Sequence, residues 1–423
     1  MYIKHALFLL LFGLFTTSML NAQELPLAKE NTVYVFLDQM SLQYDFTWKD
    51  LVKPVNRNQI KLALAQLAAQ PNLSSQDKKA CLFYLASFSD KTKDISYDTV
   101  GVMKKSIYTG LHYQECGSAI HVRPIIAGTL SSNTQGSYRT QTIGVNIWGS
   151  VNQKIDYSFS FQDITLSGKG VSGIPQDWSV PKSVNVGDAS LLNNKNFNEL
   201  NASLSYRFKK GFISIGQERW SWGYGEQSNI VQSSNSPAAP YIRLNYQLFK
   251  WLQFNYQHAW IQSNVLDSTA SYSYNTPTYG GVHQEYLPKY YAQHSLTFTP
   301  KTGIDISIGE SIVYTGNLKP GYLIPIMYFK SYDNTSSNQN ILAGDNGQLF
   351  MGYSIRRWIP NTQLYGQLFI DEIRLTQMFS KENRNQLGYQ LGVKNNGLLS
   401  NKKLTVGLEY TKIKPFVYNN INP

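Results

Sequence analysis

The chain has 423 residues, a formal net charge of +11 and only 15% charged residues, beside 29 Tyr, 20 Phe and 8 Trp. A soluble enzyme of this length usually carries about 25% charge, and beyond the N-terminus no stretch approaches the ~20 apolar residues that a membrane helix needs. The positive charge is spread along the sequence rather than gathered in a run; an exported chain is removed from the cell's nucleic acid, and anionic lipopolysaccharide or an acidic polysaccharide is the more natural partner.

Low charge, many aromatics and abundant Asn, Gln, Ser and Thr fit a transmembrane antiparallel β-barrel, whose strands show lipid one side chain and the lumen the next. Secreted all-β carbohydrate-binding proteins share this composition and are the main competitor.

The chain opens with Lys4 and His5 before an apolar run from Ala6 to Phe15. Thr16, Thr17 and Ser18 interrupt that run, and Ala22 offers a cleavage point. This order predicts a secretory signal peptide over residues 1–22. Residues 23–115 are expected to form a small α-helical domain on the periplasmic side.

In that region Val33, Phe36, Leu37 and Met40 keep the spacing of one helix face. Asn56 caps a second predicted helix carrying Ile60, Leu62, Leu64 and Leu67, which Pro71 and Asn72 end. Ser74 or Ser75 opens a third, with Cys81, Leu82, Leu85 and Phe88. The bundle reads either as a plug or docking platform, or as a packing cap on the barrel end. The two cysteines are Cys81 and Cys116. An oxidising periplasm allows a bridge between them, but Cys81 lies inside an apolar helix pattern, where a buried free thiol is the plainer expectation.

Residues 116–423 form the predicted outer-membrane barrel, of about 14–18 strands. Here the period changes to two. Ala202, Leu204, Tyr206 and Phe208 alternate with Asn201, Ser203, Ser205 and Arg207. Leu252, Phe254, Tyr256, His258 and Trp260 alternate with Gln253, Asn255, Gln257 and Ala259. Ile304, Ile306 and Ile308 alternate with Asp305, Ser307 and Gly309, and the pattern returns at Leu387–Val393 and Leu404–Tyr410.

Strands of this length, with aromatics at their ends, match a bilayer crossing with interfacial girdles. Compact turns at Lys209–Gly211, Lys301–Gly303 and Asn395–Asn401 contrast with long polar segments at 167–196, 228–239, 263–291 and 331–346. Short turns on one rim and long loops on the other are the barrel pattern. After Tyr418 the chain stops soon after a strand has begun, which suggests that a last strand or strands are missing.

Several segments resemble the Wzi family of outer-membrane capsule-assembly proteins. Val33-Tyr34-Val35-Phe36-Leu37-Asp38 with Val52-Lys53-Pro54-Val55-Asn56-Arg57 is similar to that family's N-terminal bundle. Ile215-Gly216-Gln217-Glu218-Arg219-Trp220-Ser221-Trp222-Gly223-Tyr224-Gly225 looks like its Gly-x-x-Arg-x-x-Trp-Gly-x-Gly stretch, followed by Ser233–Pro237. Residues 309–325 with Asn340–Gly344 form the third segment, and Leu364–Glu372 the fourth. Asp371-Glu372 stands where the family often has paired aspartates.

The resemblance implies a monomeric barrel with a periplasmic bundle. It also implies a lectin that helps retain surface polysaccharide, and a binder rather than an enzyme.

Glu218, Arg219, Trp220 and Trp222 form the densest polar–aromatic cluster. Gly216, Gly223 and Gly225 let the backbone bend there. An Arg fork and a Trp face suit a sugar. The alternative is an ion-pair network filling the lumen, with Arg219 on Glu310 or Asp371 and with carboxylates opposite Arg356 or Arg357. Asp371 and Glu372 are strand neighbours on opposite faces, so they cannot flank one glycosidic bond.

The loop 272–291 gathers Tyr272, Tyr274, Tyr279, Tyr286, Tyr290 and Tyr291 with His283 and Glu285, which suits carbohydrate stacking or loop packing. The histidines show no ligand spacing, and neither a catalytic motif nor a cofactor site is expected. A general diffusion porin and a polysaccharide- or lipid-modifying barrel enzyme are the other readings.

Overall fold

The computed structural model describes residues 32–87, 111–115, 118–152, 154–173, 194–261, 263, 265–275, 280–336, 345–372, 385–397 and 404–418. The predicted signal peptide, Phe88, Cys116, Tyr279, Asn340–Gly344 and the residues after Tyr418 lie outside them.

The chain starts with helix α1 (Thr32–Gln43), a two-residue strand β1 (Val52–Lys53), and helices α2 (Arg57–Ala68) and α3 (Ser75–Ser87). Asn56 begins α2, its Oδ1 accepting from the Asn58 N–H at 2.9 Å. Ser74 begins α3, its Oγ accepting from the Asp77 N–H at 3.1 Å. Both satisfy amides that a helix start leaves without an internal partner.

Val33, Leu37, Met40, Ile60, Leu64, Leu67 and Cys81 close a common core, where each large side chain contributes about 1.5–3 kcal/mol. Leu62 lies two residues from both Ile60 and Leu64, so it falls on the opposite side of α2 and is exposed. The buried Cys81 thiol donates to the Leu64 carbonyl at 3.2 Å.

The strands follow as β2 (Leu111–Glu115), β3 (Ser118–Asn133), β4 (Gly136–Val151), β5 (Ile155–Ser167), β6 (Asn194–Phe208), β7 (Gly211–Glu218), β8 (Ser221–Trp222), β9 (Ala239–Phe249) and β10 (Leu252–Ile261). Then come β11 (Tyr272–Asn275), β12 (Gly280–His283), β13 (Lys289–Lys301), β14 (Ile304–Thr315), helix α4 (Phe329–Ser336), β15 (Asn346–Arg356), β16 (Thr362–Glu372), β17 (Gln386–Asn396) and β18 (Thr405–Ile413).

Fourteen of them form one antiparallel sheet in chain order, from β2 to β18, leaving out β1, β8, β11 and β12. The sheet therefore begins at Leu111, inside the range 23–115 expected to be helical.

This sheet is amphipathic in the reverse of a soluble protein's sense. One face carries Asn146, Ser160, Ser214, Arg243, Asn255, Gln257, Gln293, Ser295, Ser307, Ser354, Gln363 and Gln390, all buried. The other carries Ile126, Ile143, Phe161, Leu204, Ile215, Phe298, Ile308, Met351, Leu391 and Leu408, all exposed. A water-facing sheet turns its apolar set inward, and apolar outside with polar inside is what a lipid environment selects.

The turns β6–β7, β9–β10, β13–β14 and β15–β16 define one rim, and the long connections the other. On the short-turn rim lie Tyr206, Phe249, Trp251, Phe298 and Trp358, with Phe249 stacked on Trp251 at 5.2 Å. The helices sit at this rim too. Arg357, in the β15–β16 turn, pairs with Asp45 at 2.6 Å and donates to the Ser41 carbonyl, and Lys49 donates to Gln247 at 3.1 Å.

Candidate functional site

Between the helices and the sheet's polar face runs the segment Trp48–Arg57. Arg356 of β15 meets it with a planar fork: Nη2 reaches Asp50 at 2.7 Å and Nη1 reaches Asp305 of β14 at 3.3 Å. A third bond goes to the Trp48 carbonyl. Burial alone would raise the Asp50 carboxyl, but Arg356 and then Lys53 hold it below the ordinary carboxylate value. Farther along, Arg243 of β9 donates to Gln257 at 2.9 Å and to the Pro54 carbonyl at 3.3 Å.

From the opposite rim, the connection after β7 turns back into the same space. Its strand β8 pairs with β1, Trp222 opposite Val52 and Ser221 opposite Lys53. Two glycines make this possible. Gly223 has φ +140°, and a Cβ on Gly225 would stand 1.8 Å from the Ser228 carbonyl oxygen. The Asn229 carboxamide accepts from the Gly225 N–H at 2.7 Å, and the Gln367 amide lies 2.7 Å from Gln390 and 3.1 Å from Asn229.

Trp222 and Tyr224 are buried with Leu51, Ile230, Phe350, Tyr365 and Phe369. Glu226 reaches β18 and β17: its N–H donates to Glu409 at 2.7 Å, and its carboxylate accepts from Lys394 at 3.0 Å. The inserted segments thus span most of the sheet order: Asn56 and Arg57 line a cavity of about 70 Å³ together with Trp148 and Asp156 of β4 and β5, and Glu226 is bonded to Glu409 of β18.

The site residues expected from sequence are scattered. Glu218 is buried at the end of β7, hydrogen-bonded by Ser203 and Tyr241. Arg219 pairs with Glu199 at 2.8 Å, not with Glu310 or Asp371. Trp220 packs against Tyr241 at 6.3 Å. With both tryptophans buried, neither presents a face to a sugar.

Glu310 stands on the opposite, outward face, beside His294 at 3.1 Å. Asp371 accepts from the Tyr418 N–H at 2.8 Å, whereas the acids on Arg356 are Asp50 and Asp305. Period two puts Glu310 on that face, since it follows Ile306 and Ile308 along β14.

A second locus projects from the long-loop rim. β11 and β12 form a hairpin with Tyr272 opposite His283 and Tyr274 opposite Gly281. Tyr272 and His283 stack at 4.9 Å, His283 lies 3.3 Å from Glu285, and Tyr272, Tyr274, Val282 and Glu285 are exposed. Tyr286 sits at the hairpin's base, where Leu266 bridges to it. Exposed aromatic faces beside a carboxylate and an imidazole can stack on and hydrogen-bond to hydroxylated rings. Among the described residues, no cluster of metal-ligating side chains occurs.

Arg243 and Asp50 were missed from sequence. Arg243 shares the parity of Tyr241, Asn245 and Gln247 and could have been found on that signal. Asp50 lies in a non-periodic stretch that offers none.

No family model and no curated protein matches the chain. Among solved structures, it is similar to Wzi of Escherichia coli, described as an outer-membrane protein involved in group 1 capsule assembly and a carbohydrate-binding β-barrel. That similarity has a TM-score of 0.49 at 12% identity, over 93% of this chain and 72% of the other. It is also similar to the NanC porin (TM-score 0.26, 9% identity, 64% and 98% covered) and to OmpT of Vibrio cholerae (0.29, 9%, 71% and 88%).

Proposed function

We propose that the chain is a bacterial outer-membrane β-barrel whose sheet closes around the inserted segments, and whose long-loop rim binds surface polysaccharide, capsular or exopolysaccharide. In this reading it assists the polymer's assembly or attachment, without catalysing a reaction, and acts as a monomer in outer-membrane lipid and lipopolysaccharide. Residues 1–22 are the export signal, and the helical segment faces the periplasm.

The observation that carries the membrane assignment is the reversed amphipathicity of the fourteen-stranded sheet. Lipid contact makes an exposed Ile, Leu and Phe belt favourable, and a closed sheet leaves no edge to lipid. The polysaccharide assignment rests on the exposed Tyr272–Tyr274–His283–Glu285 hairpin and on the Wzi-like segments of the sequence. The inserted Trp222–Tyr224 stretch favours this over free diffusion, because it packs apolar and amide groups across the lumen.

Binding of the purified, detergent-solubilised protein to the host's own surface polysaccharide tests the reading. Retention on immobilised polymer that is lost in the Tyr272→Ala/Tyr274→Ala variant supports it. Failure of the unmodified protein to bind that polymer contradicts it.

A further inference from the structure

The outward face of the sheet is not apolar everywhere. Where β10, β13 and β14 meet, it carries Tyr256, His258, Tyr290, His294, Glu310 and Tyr314. Their parity is that of Phe254, Leu296 and Ile308, and register places His294 opposite both Tyr256 and Glu310. Glu310 is four residues from Ile306 on the same strand, about 13 Å along it at ~3.3 Å per residue. That is well inside a lipid belt ~25 Å tall. Ionisable groups at such a depth need cover.

The β14–β15 connection supplies it. From Lys319 to Ser336 the chain folds back from the long-loop rim over this patch. Tyr322 and Phe329 are wholly buried against Tyr256, Ala292, Ile312 and Tyr314. The Phe329 N–H donates to the Glu310 carboxylate at 2.7 Å, the Tyr256 hydroxyl donates to the Tyr322 carbonyl at 2.8 Å, and His258 Nε2 lies 2.8 Å from the Tyr314 hydroxyl. Lys319 and the Tyr322 hydroxyl tie the start of the segment to Asp345.

On its other side the segment shows Ile324, Ile326 and Tyr328 at 45%, 83% and 54% exposure. Two residues from Glu310 on β14, Ile308 pairs with Met351 of β15, and both are exposed on the same face of the sheet. Lys330, two residues after Tyr328, is an exposed cation. Its stem runs over Gly347 near the long-loop end of β15, in position to lift its charge toward the interface.

We propose that residues 319–336 form a membrane-embedded strap. Its outer side, centred on Ile326, contacts the acyl chains of the outer leaflet, and its inner side is latched to the sheet by Glu310. The proposal rests on the barrel reading and adds to it a loop that re-enters the bilayer rather than standing above it.

The test uses the full chain in phosphatidylcholine vesicles, with single cysteines carrying an environment-sensitive fluorophore in a Cys116→Ser background. The buried Cys81 stays unlabelled under native conditions. Brominated phosphatidylcholine should quench the Ile326→Cys label as strongly as the Ile308→Cys label on the sheet, and leave the Tyr272→Cys label unaffected. Quenching of Ile308→Cys together with iodide, but not lipid, quenching of Ile326→Cys would overturn the strap and leave the barrel standing. Lipid-insensitive labels at both positions would overturn both. Glu310→Leu should move the Ile326→Cys label from lipid toward iodide quenching, whereas Glu310→Gln, which keeps an acceptor for the Phe329 amide, should not. An unchanged Glu310→Leu profile removes Glu310 as the latch.

Discussion

Replacing Arg356 by Met is the sharpest perturbation of the packing between the inserted segment and the sheet's polar face. The side chains of Arg356, Asp50 and Asp305 are 2%, 9% and 5% exposed, and one guanidinium serves both acids and the Trp48 carbonyl. Met matches the stem's bulk and removes the charge, leaving two buried carboxylates with their principal cation gone. Thr299, which donates to Asp305 at 2.6 Å, compensates only part of this.

Removing one partner of a buried pair costs about 3–5 kcal/mol. With a urea slope of about 1–3 kcal/mol per molar, the unfolding midpoint should fall by roughly 1–5 M. Urea titration of the vesicle-embedded protein, followed by tryptophan emission and by gel mobility, reads this directly. Because Asp50→Asn removes one of the stranded charges, the double variant should lose less than the sum of the single losses. A midpoint shift below about 0.3 M, or strict additivity of the two changes, would show that Arg356 does not hold the two buried acids.

Three further outcomes follow from the geometry. Asp50 has its carboxyl held below the ordinary value, so its contribution is present above an unfolded-state pKa of about 3.9 and is lost as pH falls through the lower folded value. The urea-midpoint difference between the unmodified protein and Asp50→Asn should therefore stay constant from pH 8 to 5 and shrink only below about pH 4. Gly225→Ala drives a methyl onto the Ser228 carbonyl oxygen. It should cost about 1–3 kcal/mol and raise single-channel conductance as the inserted loop loosens, while unchanged stability and conductance would exclude a packed loop. In Cys116→Ser, burial of Cys81 and a thiol pushed up to about 11 should make maleimide labelling at neutral pH negligible until denaturant is added.

Much of the architecture was legible because period two and period 3.6 are properties of the chain alone. Asn56 and Ser74 start helices as their side chains dictate, and the alternation at 201–208 and 304–308 assigns the sheet's faces correctly. Carried two residues farther, that alternation puts Glu310 on the outward face. Pairing it with Arg219 across the lumen overrode the parity, and the partner proved to be Glu199. His258 carried the same signal, a polar residue on an apolar face, which marks a covered patch.

What covers that patch was not legible, because the fold-back of residues 319–336 depends on tertiary contacts with three strands at once, β14, β13 and, sixty-six positions back at Tyr256, β10. The burial of Trp220 and Trp222 was hidden for a related reason. A glycine-rich stretch permits a bend without stating its direction, and only pairing of β8 with β1 turns it inward.

In the barrel reading, the exposed Ile, Leu and Phe face of the sheet meets lipid. Alkaline-carbonate and urea extraction of cell envelopes, after density separation of the two membranes, tests it most directly. The full chain should stay in the dense outer-membrane fraction and leave only with detergent. Recovery as a water-soluble protein without detergent would contradict it.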